Sequence, residues 1–325
     1  MKPIQQFRKT TVALALAAGF AWVGAAQASV MADAVLTVSN FMITTTGPTP
    51  VILDISAFIN VNIVDNGTNA ASLTGFAPVN IPGISFGGAP LDVLQACLGA
   101  VCPAQNSFTH DIPPPGAGTQ LSRADSLIGG APVTGIGTLT SPARADTVAE
   151  VLLTSGAIGN GTSQLGLNTQ FQFEVETGQQ VGFEFTGDSY LRSFLSGGIG
   201  LAQSSNSLTF AITHLNTAGA TVVDFSWTPD GAAGGITGGT EKADACDLTN
   251  TASTLAPADV LIACTGFARA ETTGLAEGIL YTFNIRHTSI ADAAFVQAVP
   301  EPATLLLFGS GLIGMAVLRR RQRQA

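Results

Sequence analysis

The chain is poor in the residues that most often carry chemistry. Its 325 residues include three histidines, four cysteines, two tryptophans and two tyrosines, and 11% of them are charged. No C-x-x-C pair is present, and no histidine lies near a cysteine in the sequence. This composition argues against a zinc site and predicts a protein without a metal or other cofactor.

Basic residues are also scarce, which excludes a nucleic-acid partner. Residues 29–299 hold 21 acidic and 6 basic side chains, a net charge near −15, with Lys242 as the one lysine. Phosphate backbones and anionic membrane surfaces both repel such a charge. Because 46% of the residues are hydrophobic, the body is still expected to fold, and its length allows one large or two small domains.

Hydrophobic residues alternate with polar ones along most of the body, which predicts β-strands. The alternation is clearest over residues 171–175 and 181–185, which flank turn residues 177–179 and predict a half-buried hairpin. The same pattern predicts strands at 34–45, 58–70, 208–212, 223–227 and 281–285. Within 223–227, Trp227 shares the apolar face with Val223 and Phe225, so we expect it in the core.

Turns and loops separate these strands. Asp65-Asn66-Gly67 predicts a hairpin turn, and the segments 103–119 and 229–240 are rich in Pro or Gly. The first of these segments is interpreted either as a long surface loop or as a domain boundary. Short helices are predicted only at 91–98 and 190–195. The fold class is therefore all-β, an antiparallel β-sandwich or jelly roll.

Four cysteines in the body suggest two disulfides. Cys97, Cys102, Cys246 and Cys264 permit three connectivities. We favour the pairing of neighbours in sequence, Cys97 with Cys102 and Cys246 with Cys264, because each pair flanks a loop. Closing the second loop contributes about 3 kcal/mol in the chain-entropy model.

Catalytic constellations are weak. A serine nucleophile needs a base in hydrogen-bond reach, and Ser189 in "GDSY" has no matching Asp-x-x-His block. Paired carboxylates on a strand face resemble a glycosidase pair, but a solvated face is the commoner reason for them. The histidines considered are His110, His214 and His287, the last two placed at strand ends, and the carboxylates are Glu174, Glu176 and Glu184. We therefore expect no enzyme, with a secreted hydrolase as an alternative.

Calcium is the one ion that the sequence makes plausible. Residues 65–69 and the pair Asp244 and Asp247 place several oxygen ligands in predicted loops. Ca²⁺ takes six to eight such oxygens, but the EF-hand spacing is missing. Asp and Asn in turns also commonly bond their own backbone, so a Ca²⁺ site is a secondary hypothesis.

The N-terminus has the order of a secretory signal peptide. Lys2, Arg8 and Lys9 precede the apolar stretch 11–26, which ends at Ala26-Gln27-Ala28. Small side chains at Ala26 and Ala28 suit signal peptidase, so residues 1–28 are predicted to be removed before Ser29. An uncleaved membrane anchor is the alternative.

The C-terminus carries three features in a fixed order. Val299-Pro300-Glu301-Pro302 is followed by the uncharged residues 303–318, a transmembrane helix of about 24 Å if helical. Four arginines come next and are expected to hold that end in the cytoplasm: Arg319, Arg320, Arg321 and Arg323. A plain tail anchor is the alternative.

This tail resembles the PEP-CTERM sorting signal. The resemblance implies recognition by exosortase, an integral membrane enzyme, and delivery to the cell surface or extracellular matrix. More loosely, "DSYLRSFLS", "FSWTPDGAAGGITGGTE" and "YTFNIRHTS" in the body resemble an exosortase-dependent surface protein family. That family brings no catalytic residues to this sequence.

The expected organisation is a leader over 1–28, a β-sandwich over 29–298 and a sorting signal over 299–325. The expected function is a non-enzymatic surface or matrix protein of a biofilm, with signal peptidase, exosortase, the inner membrane and an exopolysaccharide as partners. A carbohydrate-binding module on the same fold is the alternative.

Overall fold

A computed structural model describes residues 29–46, 51–52, 62–87, 89–99, 102–109, 120–129, 143–154, 157–165, 170–175 and 179–296. The regular structure within these residues is entirely β. The strands are β1 (Val30–Thr46), β2 (Val51–Ile52), β3 (Asn62–Leu73), β4 (Val79–Phe86), β5 (Leu91–Gly99), β6 (Leu121–Gly129), β7 (Ala143–Leu153), β8 (Ile158–Leu165), β9 (Gln170–Phe173), β10 (Gln180–Leu195), β11 (Ile199–Leu215), β12 (Thr221–Trp227), β13 (Ile236–Thr237), β14 (Gly239–Asp244), β15 (Thr251–Thr254), β16 (Ala258–Thr272) and β17 (Tyr281–Val296).

Two antiparallel sheets pack face to face as a sandwich. Sheet A has the strand order β14-β16-β10-β1-β7-β6-β5, with β2 beside β1. Sheet B has the order β13-β12-β11-β17-β8-β3-β4, with β15 beside β11 and β9 beside both β17 and β3. Across the interface, β17 contacts β1 and β7, β11 contacts β1 and β10, and β5 and β6 contact β3, β4 and β8. The predicted all-β sandwich is confirmed.

An aromatic cluster fills one half of the space between the sheets. Phe183 of sheet A stacks on Phe283 of sheet B with ring centroids 4.6 Å apart. Trp227 is buried and packs on Phe185 and Phe210, so it belongs to the core as expected. Val223 does not, because the β11–β12 register shifts at Ile212 and leaves Val223 exposed.

Part of the outer face of sheet A is covered as well. The segment 102–109 follows β5, and its Phe108 packs against the cluster of Val35, Val148 and Tyr190. The Cys97–Cys102 disulfide ties this segment to β5, and Cys246–Cys264 joins the β14–β15 connection to β16. Both predicted disulfides are therefore present. Strands β5 and β6, on either side of this segment, pair directly with each other.

Both predicted helices are wrong. Residues 91–98 belong to β5, where Leu91 and Val93 are buried while Asp92 is exposed, and residues 190–195 belong to β10. In each case the neighbouring strand supplies the backbone hydrogen bonds, with β6 pairing to β5 and both β1 and β16 pairing to β10. Sheet pairing overrides a local pattern that is too short to distinguish helix from strand.

The predicted hairpin over 171–185 is also wrong, although its apolar face is right. Phe173, Phe183 and Phe185 are all buried. However, β9 pairs with β17 and β3 in sheet B, while β10 pairs with β1 and β16 in sheet A. The chain crosses between the sheets here, because each strand covers the opposite side of the same core.

The turn predicted at Asp65-Asn66-Gly67 does not exist. These residues lie inside β3, where Gly67 pairs with Gly83 on one side and Leu165 on the other. Asp65 and Asn69 are buried. Asn-Gly favours a turn only when the flanking residues pair with each other, and here both sides of β3 are already occupied.

Candidate functional site

The body begins and ends at the same end of the sandwich. Val30, the first residue of β1, pairs with Leu195 at the end of β10. Ile199, the first residue of β11, pairs with Val296 at the end of β17. Because residues 196–198 connect β10 to β11, the start of β1 and the end of β17 flank one turn. We call this the terminal end, and the opposite end the far end.

Ser29, the residue after the predicted leader, is fixed to that turn. Its backbone N–H donates to Ser196 Oγ at 2.7 Å, and the Ser196 N–H donates to the Ser29 carbonyl at 3.0 Å. Ser29 is also buried. The body is thus ordered from the residue at which signal peptidase is predicted to cut.

The predicted sorting residues lie outside the described part of the chain. This applies to the sorting motif Val299–Pro302, the span 303–318, the arginines 319–323 and the leader 1–28. Among the described residues, no helix has the length and apolarity needed to cross a membrane.

Ser189 and His287 are structural residues of the core. The Ser189 hydroxyl accepts a hydrogen bond from Asn206 Nδ2 at 3.0 Å, and Asn206 Oδ1 accepts one from Ser289. Ser289 is 2.7 Å from Thr147 Oγ1, which is 2.9 Å from His287 Nε2. Every member of this chain is buried between the sheets. It ties sheet A to sheet B and does not present a nucleophile to substrate.

His287 was expected at a strand end, and that prediction is wrong. It lies within β17, opposite Leu208 of β11. Burial lowers its pKa to about 3, since the charged imidazolium would lose its hydration there. The residue is therefore neutral at physiological pH. Gly187 of "GDSY" has a packing role, because a Cβ there would collide with Leu248.

His214 is the histidine with a carboxylate partner. At the end of β11, its Nδ1 lies 2.6 Å from Asp224 Oδ2. Its ring also meets the Tyr281 ring edge-on. Glu174, just after β9, and Glu184, on β10 of sheet A, are both half-buried. His110 and Glu176 lie outside the described residues.

A row of charges, three of them buried and Arg192 half-buried, crosses sheet A, and the sequence analysis missed it. Arg192, Asp33, Glu150 and Arg123 occupy paired positions on β10, β1, β7 and β6. Arg123 Nε is 2.7 Å from Glu150 Oε2, and both side chains are buried. Neither carboxylate oxygen of Asp33 has a hydrogen-bond partner among the described residues.

The electrostatics of this row follow from its burial. Desolvation raises the pKa of Asp33 well above its ordinary value, and the neighbouring Glu150 raises it further. Burial raises the pKa of Glu150 as well, against the opposing effect of Arg123. The sequence does contain a signal for this row: an acidic residue inside an otherwise apolar run, as in "VMADAVL" and "TVAEVLL". Such a run indicates a strand covered on both faces.

The first loop proposed to bind calcium is not a loop, because residues 65–69 lie in β3. Asp244 accepts hydrogen bonds from the N–H groups of Asp230 and Gly231, and Asp247 accepts one from Thr249. Within the described residues, no group of three or more His, Cys, Asp or Glu side chains has an arrangement that could hold a metal ion.

A groove of about 710 Å³ lies at the far end, and the sequence analysis missed it too. It is formed by the end of β11, the β11–β12 turn and the start of β17. Amides and hydroxyls line it: Gln172, Asn216, Asn284, Thr213, Thr217 and Thr282. Leu215 and Leu280 add exposed apolar walls, and His214 is the one titratable group in its lining.

Comparison with protein families identifies the tail. Residues 298–321 match the family described as the PEP-CTERM protein-sorting motif. The chain carries a PEP-CTERM sorting motif. This signal marks exosortase-dependent export to the cell surface or the extracellular space. Comparison with curated proteins and with solved structures found no match.

The family match places the sorting motif of this PEP-CTERM protein directly after its folded body. The match begins at residue 298, two residues beyond the end of β17 at Val296. It does not extend into the body, so the looser resemblance of residues 188–196, 225–241 and 281–289 to a surface-protein family stays a prediction.

Proposed function

We propose that this PEP-CTERM protein is a non-enzymatic component of the cell surface or of a biofilm matrix. Signal peptidase removes residues 1–28, and residues 303–318 then hold the protein in the inner membrane until exosortase processes the tail. One observation carries the proposal: the sorting motif follows directly on the last strand of a disulfide-linked sandwich that begins at Ser29.

The non-enzymatic part of the proposal is supported by the state of the candidate catalytic groups. Ser189 and His287 are buried and hydrogen-bonded within the core. His214 is paired with Asp224, and a nucleophile would still be needed at its other ring nitrogen. A scaffold protein needs none of these, and the two disulfides suit an extracellular environment.

The test is the intact mass of the native protein from its source cells, in the envelope and matrix fractions. We expect a matrix species that begins at Ser29 and ends near Pro300. Retention of an intact Arg319–Arg323 tail in the inner membrane, with no matrix species, would show that the tail is only an anchor.

Carbohydrate binding is the second candidate, and the far-end groove is the observation that favours it. Asn216 and Asn284 offer amide groups, and Leu215 offers an apolar surface to a sugar ring. The lining carries no carboxylate, which suits a neutral polysaccharide better than a charged one. The groove also lies at the opposite end from the tail, so it stays accessible in the anchored protein.

Binding of the matrix form to neutral dextran and glucan oligosaccharides tests this second candidate. We expect Asn284→Ala to weaken binding by about tenfold, which corresponds to the loss of a hydrogen bond to an uncharged partner. Thr265→Ala, on the exposed outer face of β16, is the matched control. Equal affinity of the two variants, or no binding to either glycan, rejects the groove as a sugar site.

A further inference from the structure

The terminal end carries four exposed large apolar side chains, which we call the apolar rim. They are Phe76 after β3, Ile158 at the start of β8, Ile199 at the start of β11 and Leu255 after β15. Their exposed fractions are 49%, 64%, 68% and 72%. Exposed apolar residues that cluster at one end of a domain mark a surface that meets a partner or a membrane.

Strand register places these four residues around the exit of the chain. Ile199 pairs with Val296, and Ile158 pairs with Ala294, on opposite sides of β17. The Phe76 turn adjoins Ile158, since the Thr74 N–H donates to the Ile158 carbonyl at 2.9 Å. Leu255 follows Thr254, which pairs with Ala202 of β11.

Three turns among the described residues of this end also carry no charge. None of residues 74–78, 196–198 and 255–257 is charged, although the body carries a net charge near −15. Asp259, close to this end, is neutralised by two hydrogen bonds from Arg192. The far end, in contrast, carries Glu277 in the connection between β16 and β17. Uncharged turns such as these three reduce the repulsion between this end and an anionic bilayer.

The tail limits how far this end can be from the membrane. Seven residue steps separate Val296 from Ala303, the first residue of the apolar span, and they reach at most about 25 Å when fully extended. The apolar rim is therefore held next to the bilayer at a high effective concentration, so a shallow apolar contact is enough to bind.

We propose that the apolar rim rests in the lipid interface while the tail spans the membrane. This inference depends on the membrane anchoring in the proposed function. The contact is apolar, since the rim supplies no basic side chain, and it should therefore persist at high salt. When the tail is cut, the tether disappears and the weak contact alone no longer retains the protein.

Tryptophan quenching by brominated lipids tests the inference. Tail-bearing protein purified from membranes is reconstituted into phosphatidylcholine vesicles with brominated acyl chains, as wild type, Ile199→Trp and Leu215→Trp. Leu215 is the matched control, because it ends the same strand at the far end and is 67% exposed against 68% for Ile199. Trp227, the tryptophan of the body, is buried and supplies the background.

We expect the brominated lipid to quench the tryptophan added at position 199 by about twofold or more, and the one at position 215 no more than the wild-type background. Equal quenching at both positions, or none at position 199, overturns the inference. Flotation of the vesicles in alkaline carbonate tests the anchor separately. Protein that floats without quenching contradicts the rim contact alone, whereas protein that does not float contradicts the anchor and the inference together.

Discussion

At the scale of single residues, the most unusual feature is the unpaired carboxylate of Asp33. It lies between Glu150 and Arg192 in the charged row of sheet A and is buried. A buried carboxylate without hydrogen bonds favours its protonated form. This residue therefore lowers stability in the pH range where it has to ionise.

Asp33→Asn should stabilise the protein at neutral to basic pH. The folded-state pKa of Asp33 lies above its unfolded value of about 4. The stability that wild type has with Asp33 protonated is therefore fully present below pH 4, and it is lost as pH rises through the raised pKa. We expect the variant to gain about 1 kcal/mol or more at pH 8 and little at pH 4. Urea unfolding at the two pH values measures this.

Asp188→Asn is the control for that experiment. Asp188 is on the neighbouring strand β10 and is half-buried, and its carboxylate accepts a hydrogen bond from Thr265 at 3.0 Å. An Asp33 variant that follows the same pH curve as wild type would contradict the assignment of a raised pKa.

His287 produces the opposite dependence. Its folded pKa of about 3 lies below the unfolded value, so its contribution to stability is present above about pH 6.5 and is lost as pH falls toward 3. The unfolding free energy should fall by roughly 1.4 kcal/mol per pH unit over that range from this group alone. His287→Gln, neutral at every pH, should show a flatter acid limb in thermal unfolding whatever its stability at pH 7. A slope equal to that of wild type would mean that His287 charges in the folded state.

At the scale of elements, the two disulfides constrain different lengths of chain. Cys246–Cys264 closes 18 residues and includes a buried cysteine of the main core, while Cys97–Cys102 closes five residues. The Cys97–Cys102 bridge fixes the segment 102–109, whose Ser107 carbonyl accepts a hydrogen bond from Arg123. Each bridge thus supports the packing of an irregular segment against a sheet.

Replacing both cysteines of each bridge by serine should separate these roles. The chain-entropy model predicts a loss of about 3 kcal/mol for Cys246 with Cys264 and about 2 kcal/mol for Cys97 with Cys102. Because Cys246 is buried, its replacement adds to the loss of stability expected for Cys246 with Cys264. Denaturant midpoints of the two double variants under identical conditions show which bridge contributes more to stability. A larger loss for Cys97 with Cys102 would contradict the prediction.

At the scale of the whole molecule, all the described strands precede the sorting signal. β17 pairs with β11 up to Val296 and with β8 up to Ala294, and the motif match starts at residue 298. Removal of the tail therefore takes away none of the strands β1–β17.

The matrix form and the tail-bearing form should consequently unfold at the same temperature. We expect midpoints within about 2 °C, a difference of less than about 1 kcal/mol for a body of this size. Calorimetry of both forms in the same detergent checks this. A clearly lower midpoint for the matrix form would mean that the tail contributes to the fold.

The sequence by itself determined the features that depend on local pattern. The PEP-CTERM tail, the all-β class, the burial of Trp227 and Phe183, and both disulfides follow from residue order and period-two alternation, which need no knowledge of distant partners. The sorting motif in particular is a run of consecutive residues, 298–321, and it can be identified without knowledge of tertiary contacts.

Only the tertiary structure decided which segments meet. Sheet pairing made strands of 91–98 and 190–195, placed residues 171–173 and 181–185 in opposite sheets, and turned Asp65-Asn66-Gly67 into the middle of β3. It also aligned Asp33, Glu150 and Arg123, and brought both ends of the body to one turn. These outcomes depend on strand partners that lie about a hundred residues or more away in the sequence, as Glu150 does from Asp33. The pattern of one strand does not encode which other strand it pairs with.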